Sequence, residues 1–169
     1  MVRWLSLTAV VVIVDQITKH WVESMFQLQE RVSVLPFFDI TLAYNRGAAF
    51  SFLADAGGWQ RWFFAAIAVG VSIGIIIWML RLKSHEKGLA IALALILGGA
   101  LGNLIDRLML GHVVDFLLFY WNGNYFPAFN VADSAISLGA VIILYDAFQE
   151  IKKGSDANNI DNNEENRHE

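Results

Sequence analysis

The sequence predicts a mainly α-helical membrane protein: four transmembrane helices, a small extracytoplasmic β-sheet, and a second extracytoplasmic loop. Three observations predict it. Of the 169 residues, 56% are hydrophobic and only 17% are charged, far from the balance of a soluble domain. The apolar residues fall into four nearly uncharged blocks, each approaching the roughly 20 residues that cross a bilayer. Between the first two blocks lies an aromatic and β-branched stretch too short to span.

The first span is expected at about 4–21. Met1-Val2-Arg3 before an apolar run looks like a signal peptide, but Asp15-Gln16-Ile17-Thr18-Lys19 stands where a small-residue cleavage site belongs. An uncleaved first helix is therefore expected. Asp15 and Lys19 are four apart, share a helix face and can pair.

The first loop, 22–58, reads Val32-Ser33-Val34-Leu35-Pro36-Phe37-Phe38-Asp39-Ile40-Thr41-Leu42, then Asn45-Arg46-Gly47, then Ala48 to Leu53. Period-two alternation and β-branched residues predict short strands, and Asn45-Arg46-Gly47 a turn. Phe37, Phe38, Phe50, Phe52 and Leu53 lie outside any span, which predicts a surface that meets lipid.

The second span is expected at 59–80, with Trp59, Trp62 and Trp78 at its interfaces. Arg81, Lys83, His85 and Lys87 then form the most basic loop. The third span is expected at 89–108. Its Ala90, Ala94, Gly98 and Gly102 recur every fourth residue, a smooth stripe that lets another helix approach closely. Asp106 continues that face and should point into the bundle, with Asn103 and Arg107 beside it.

A second loop, 109–127, carries Asp115 and a turn at Trp121-Asn122-Gly123-Asn124. The fourth span is expected at 130–148, with Asn130 as its cap. At 100° per residue, Asn130, Asp133, Ser134 and Ser137 fall within about a 100° arc, which must face the bundle. Residues 1–153 then make one integral-membrane domain. Residues 154–169, rich in Asn, Asp and Glu, read as a disordered tail.

Basic residues at Arg3, in the 81–87 loop and at Lys152-Lys153 place both termini in the cytoplasm. Asp15, Asp106, Asp115 and Asp133 then gather at the outer face. A carboxylate near lipid costs several kcal/mol and is rare without a function or partner. Two that converge can share one proton, giving an acid and a base at neutral pH. Asp115 and Asp133, each in apolar surroundings, are the candidate pair. Cysteine is absent, so thiol chemistry and disulfides are excluded. No basic run exceeds Lys152-Lys153, so nucleic acid is not an expected partner.

Five blocks occur in order: Asp15-Gln-x-Thr-Lys19, Asn45-x-Gly-Ala-Ala-Phe50, Gly102-Asn103-x-x-Asp106-Arg107, Gly111-His-Val-Val-Asp-Phe116 and Phe129-Asn-x-Ala-Asp-Ser134. Over roughly residues 10–150 the chain resembles the lipoprotein signal peptidase (signal peptidase II) family of bacterial aspartic proteases. The resemblance implies a plasma-membrane enzyme that cuts a prolipoprotein before its diacylglyceryl-modified cysteine. It maps the catalytic pair onto Asp115 and Asp133. Asn45, Gly47, Asn103, Arg107, Asn130 and Ala132 match motif positions near the site, and Asp15, Lys19 and Asp106 are taken as structural polar residues. It implies no cofactor and no metal, with membrane lipids around a monomer.

Three expectations follow for supporting residues. The first loop, 32–53, should form a cradle for the lipidated substrate. Asn45 should hydrogen-bond substrate backbone. Arg107 should hold substrate backbone or the segment bearing Asp115. A transporter with an intramembrane acidic site is the alternative, but it predicts acids spread through the membrane depth and a repeat in topology.

Overall fold

The structure, a computed structural model, describes residues 2–47 and 57–165. The elements run α1 (Val2–Met25), β1 (Arg31–Leu35), β2 (Phe38–Asn45), α2 (Trp59–Arg81), α3 (Lys87–Met109), β3 (Val113–Trp121), β4 (Asn124–Tyr125) and α4 (Val131–Glu165). All four helices are long and apolar enough to cross a membrane, at the positions expected within a turn or so at most ends. The apolar segment at 48–53, including Phe50, Phe52 and Leu53, lies outside the described residues.

The small-residue stripe explains how the helices pack. α3 is the most buried helix. A Cβ on Gly98 would stand 2.7 Å from Val11 Cβ, and one on Gly102 would stand 2.6 Å from Asp15 Oδ2. The stripe therefore faces α1, and Thr8 Oγ1 donates to the Ala94 carbonyl at 3.0 Å across the same seam. Gly99, one residue off the stripe, performs the same service for α4, since a side chain there would overlap the Ala132 carbonyl oxygen. Ile75, Met79, Leu93, Ala94 and Leu97 fill the space between α2 and α3.

α4 keeps its apolar part to Gln149 and is helical to Glu165. One expectation changes: most of the loop 109–127 is strand. β1 to β4 form one antiparallel sheet in that order. Val113, Val114 and Phe116 are part of a nearly continuous apolar run, which hides the strand's alternation in the sequence.

Register fixes what the sheet presents. Ala43 pairs with Asp115, Tyr44 with Val114 and Asn45 with Val113. β3 and β4 meet through Asn122 (φ 48°) and Gly123 (φ 78°), the two left-handed residues a tight hairpin demands. Val22, Leu42, Val114 and Phe116 form one buried cluster, which seats the sheet on the end of α1.

Candidate active site

Asp133 enters from the first turn of α4. Asn130 precedes the helix and accepts the Asp133 backbone N–H at 2.9 Å through Oδ1. Asp133 Oδ2 accepts the Asn130 N–H at 3.3 Å. The two residues thus cap the helix reciprocally, with a carboxylate where the helix dipole favours negative charge.

Asp115 enters from near the start of β3 and is 3% exposed. Its Oδ1 accepts from Asn130 Nδ2 at 2.7 Å and its Oδ2 from Asn45 Nδ2 at 3.1 Å. Asn130 therefore touches both carboxylates. Burial, then the nearby charge of Asp133, pushes the Asp115 carboxyl up from 3.8 to about 7, against the opposing effect of the two amide donors. A group so placed holds its proton to near neutrality.

Asn103 completes the ring. Its Nδ2 donates to Asp133 Oδ1 at 2.7 Å, and its Oδ1 accepts from Asn130 Nδ2 at 3.2 Å. Arg107, one turn further along α3, donates to the carbonyls of Gly47 and Asn103, each at 3.3 Å. It also lies over the Phe64 ring at 5.4 Å.

Beneath this ring lies a buried ionic cluster. Lys19 pairs with Asp15 at 2.8 Å and Asp106 at 2.9 Å. Each acid reaches beyond the pair. Asp15 Oδ1 accepts the Ala132 N–H at 2.9 Å, and Asp106 Oδ2 accepts the Val114 N–H at 3.1 Å. One acid thus grips the start of α4, beside Asp133, and the other grips β3, beside Asp115. Buried charges are stable only when paired and hydrogen-bonded, and here those bonds locate both carboxylate-bearing segments.

All these side chains stand at one end of the helices, around a cleft of about 1070 Å³. Asn45, Gly47, Asn103, Arg107, Asp115 and Asp133 line it. Ser134 and Ser137 line it too, and Ser134 Oγ donates to the Asn130 carbonyl at 2.9 Å, so the polar arc of α4 faces the protein interior, as expected, with most of it on the cleft.

Two supporting residues make contacts within the protein that the sequence did not foresee. Asn45 spends its amide on Asp115, and its Oδ1 accepts the Gly47 N–H at 3.0 Å. Arg107 holds the Gly47 end of β2 rather than the strand bearing Asp115. Gln16 was missed as a supporting residue. Its Nε2 donates to Asp106 Oδ1 at 2.8 Å and to Asp15 Oδ2 and the Gly102 carbonyl at 3.3 Å. The available signal was its place between Asp15 and Lys19, since a polar run in a span needs partners on a neighbouring helix.

The family model described as signal peptidase (SPase) II matches residues 7–149. The lipoprotein signal peptidase of Ectopseudomonas mendocina is 54% identical over 156 residues, covering 91% of this chain and 92% of the relative. That of Pseudomonas syringae pv. tomato is 55% identical over 157 residues, covering 92% and 91%. A solved bacterial membrane enzyme, determined by the in meso method, superposes with a TM-score of 0.82 at 30% identity, covering 90% of this chain and 92% of its own. With the fold, the spans and the sequence all in agreement, this chain belongs to the signal peptidase II family.

Proposed function

We propose that this chain removes the signal peptide from prolipoproteins as an aspartic endopeptidase, cutting before the diacylglyceryl-modified cysteine, with Asp115 and Asp133 as the reacting pair. Family membership supports the reaction and disfavours the transporter alternative. One observation carries the aspartyl chemistry: two carboxylates from different elements line one cleft and accept from the same residue, Asp115 from the Asn130 side-chain amide and Asp133 from the Asn130 backbone N–H.

The chemistry follows. The ionised aspartate takes a proton from water as the water oxygen bonds to the scissile carbonyl carbon. The protonated aspartate gives its proton to the carbonyl oxygen. The tetrahedral gem-diol collapses: one hydroxyl returns its proton to the aspartate that had given it, the C–N bond breaks, and the amine leaves with the proton the base had taken. Cys is absent from the chain, so no thiol takes part.

The chain sits in a bacterial inner membrane with both termini in the cytoplasm and the cleft at the outer face. The basic loop at 81–87 supports this orientation. Membrane lipids border the cleft, and the enzyme acts as a monomer. The deciding experiment is cleavage of a lipidated precursor by purified Asp115→Asn and Asp133→Asn. Both proteins should fold and neither should cut. Substantial turnover by either removes that residue from the chemistry.

A further inference from the structure

Lys19 is 2% exposed, and its ammonium makes three bonds. Two go to Asp15 and Asp106, and the third goes to Asn103 Oδ1 at 2.9 Å. The two carboxylates already over-neutralise the ammonium, so the third bond is not needed for charge. Its consequence is directional. An ammonium only donates, so the Asn103 atom that faces Lys19 is the oxygen. The amide nitrogen is thereby turned to Asp133 Oδ1, where it donates at 2.7 Å. Asn130 Nδ2 donates to the same Asn103 oxygen at 3.2 Å and holds that orientation from a second side.

A donor aimed at a carboxylate contributes most when the carboxylate is ionised. Asp133 also accepts the Asn130 N–H at the start of α4. Asp115 has no helix terminus behind it. It lies on a strand and accepts from two neutral amides.

We propose that Lys19 is a positioning residue for the reaction: by locking the Asn103 amide it makes Asp133 the ionised member of the pair, the base, and leaves the proton on Asp115. This rests on the assignment of Asp115 and Asp133 as the reacting pair. The charged groups within reach of Asp133 are Lys19 and Asp15 from α1, Arg107 from α3 and Asp115 from β3. Asp106 of α3 faces Lys19 and Arg107. Of the two cations, Arg107 donates to backbone carbonyls, and only Lys19 is linked to Asp133 through a side-chain amide.

The test is the pH dependence of kcat/KM for a diacylglyceryl-modified precursor. Purified full-length wild type is compared with Lys19→Gln and Lys19→Gln/Asp106→Asn. The double variant removes one cation and one anion, so the cluster keeps its net charge and the fold is protected. In the folded variants KM should stay within about twofold and kcat should fall roughly tenfold. The acid limb of the profile should move up by about one pH unit, the scale expected when a neighbouring opposite charge is lost.

A folded variant whose acid limb stays in place, or moves down, overturns the proposal even if kcat falls, because a mere scaffold has no titration to move. If neither variant folds, Asn103→Asp decides. It keeps an acceptor for Lys19 but presents an acceptor, not a donor, to Asp133, so the limb must again rise, and an unmoved limb overturns the proposal. Asp133→Asn runs alongside. Turnover by that protein fails the dyad itself. An inert Asp133→Asn with an unmoved limb in the other variants fails this inference alone.

Discussion

Asn130 donates its side-chain amide to Asp115 at 2.7 Å while its own backbone N–H donates to Asp133 at 3.3 Å. One residue is therefore both the cap of α4 and the link between the two carboxylates. Asn130→Asp keeps the cap oxygen but has no amide to offer Asp115, Val114 or Asn103. It should melt below wild type, because it sets an unpaired carboxylate against those acceptors, and lose roughly 10- to 100-fold in kcat/KM, the scale of about 1–3 kcal/mol for a lost buried partner. Asn130→Ala should lose both stability and activity. Thermal melts in detergent and steady-state kinetics check this, and an Asn130→Asp protein of near-normal activity would contradict it.

Asn45 lines the cleft and donates to Asp115, so its removal should change a titration. The Asn45 amide favours ionised Asp115 and opposes the upward push of burial. Without it, Asp115 should hold its proton to higher pH. In wild type, kcat/KM should decline as pH rises through about 7 and Asp115 loses its proton. In Asn45→Ala that alkaline limb should shift upward, with kcat lowered more than KM is raised. An unchanged limb with raised KM would favour a direct substrate contact instead.

The same carboxyl makes stability depend on pH. The unfolded chain releases the Asp115 proton near 3.8, whereas the folded protein keeps it to about 7. Between those values the native state binds the extra proton, so stability should fall as pH rises and level off above about 7. Melting temperature in detergent should follow that slope, and Asp115→Asn should flatten part of it. A slope equally steep in Asp115→Asn would assign it to other groups.

Gly99 lets α3 meet the backbone of α4 at Ala132, one residue from Asp133. The added methyl of Gly99→Ala would meet a backbone carbonyl, which cannot turn away as a flexible side chain does. It should cost about 1–3 kcal/mol by overpacking and lower kcat beyond the loss of folded protein. Gly74 has open space around it, so Gly74→Ala is the matched control and should change neither quantity.

The helices were legible because composition and length alone force a span, and the alanine–glycine stripe foretold a close helix seam, though not that α1 fills it. The candidate aspartates were legible because charge near lipid demands a reason. Strand β3 was not legible, since a strand buried on both faces loses its alternation, and only register shows that Asn45 sits beside Asp115. Nor did the sequence show which way an amide points. The orientation of Asn103 depends on Lys19, 84 residues away, and such a link exists only after the helices pack.

The grip of Asp15 on the first turn of α4 has a consequence for biogenesis. The first helix to enter the membrane holds the groove-side bond that the last helix must find. Asp115 and Asp133 come together only when that closing contact forms. With Asp115 and Asp133 as the proposed reacting pair, a nascent chain whose fourth helix has not yet packed should be inert. Hydrolytic power arrives with the fourth helix, so a chain truncated after β4 should insert and yet cut nothing.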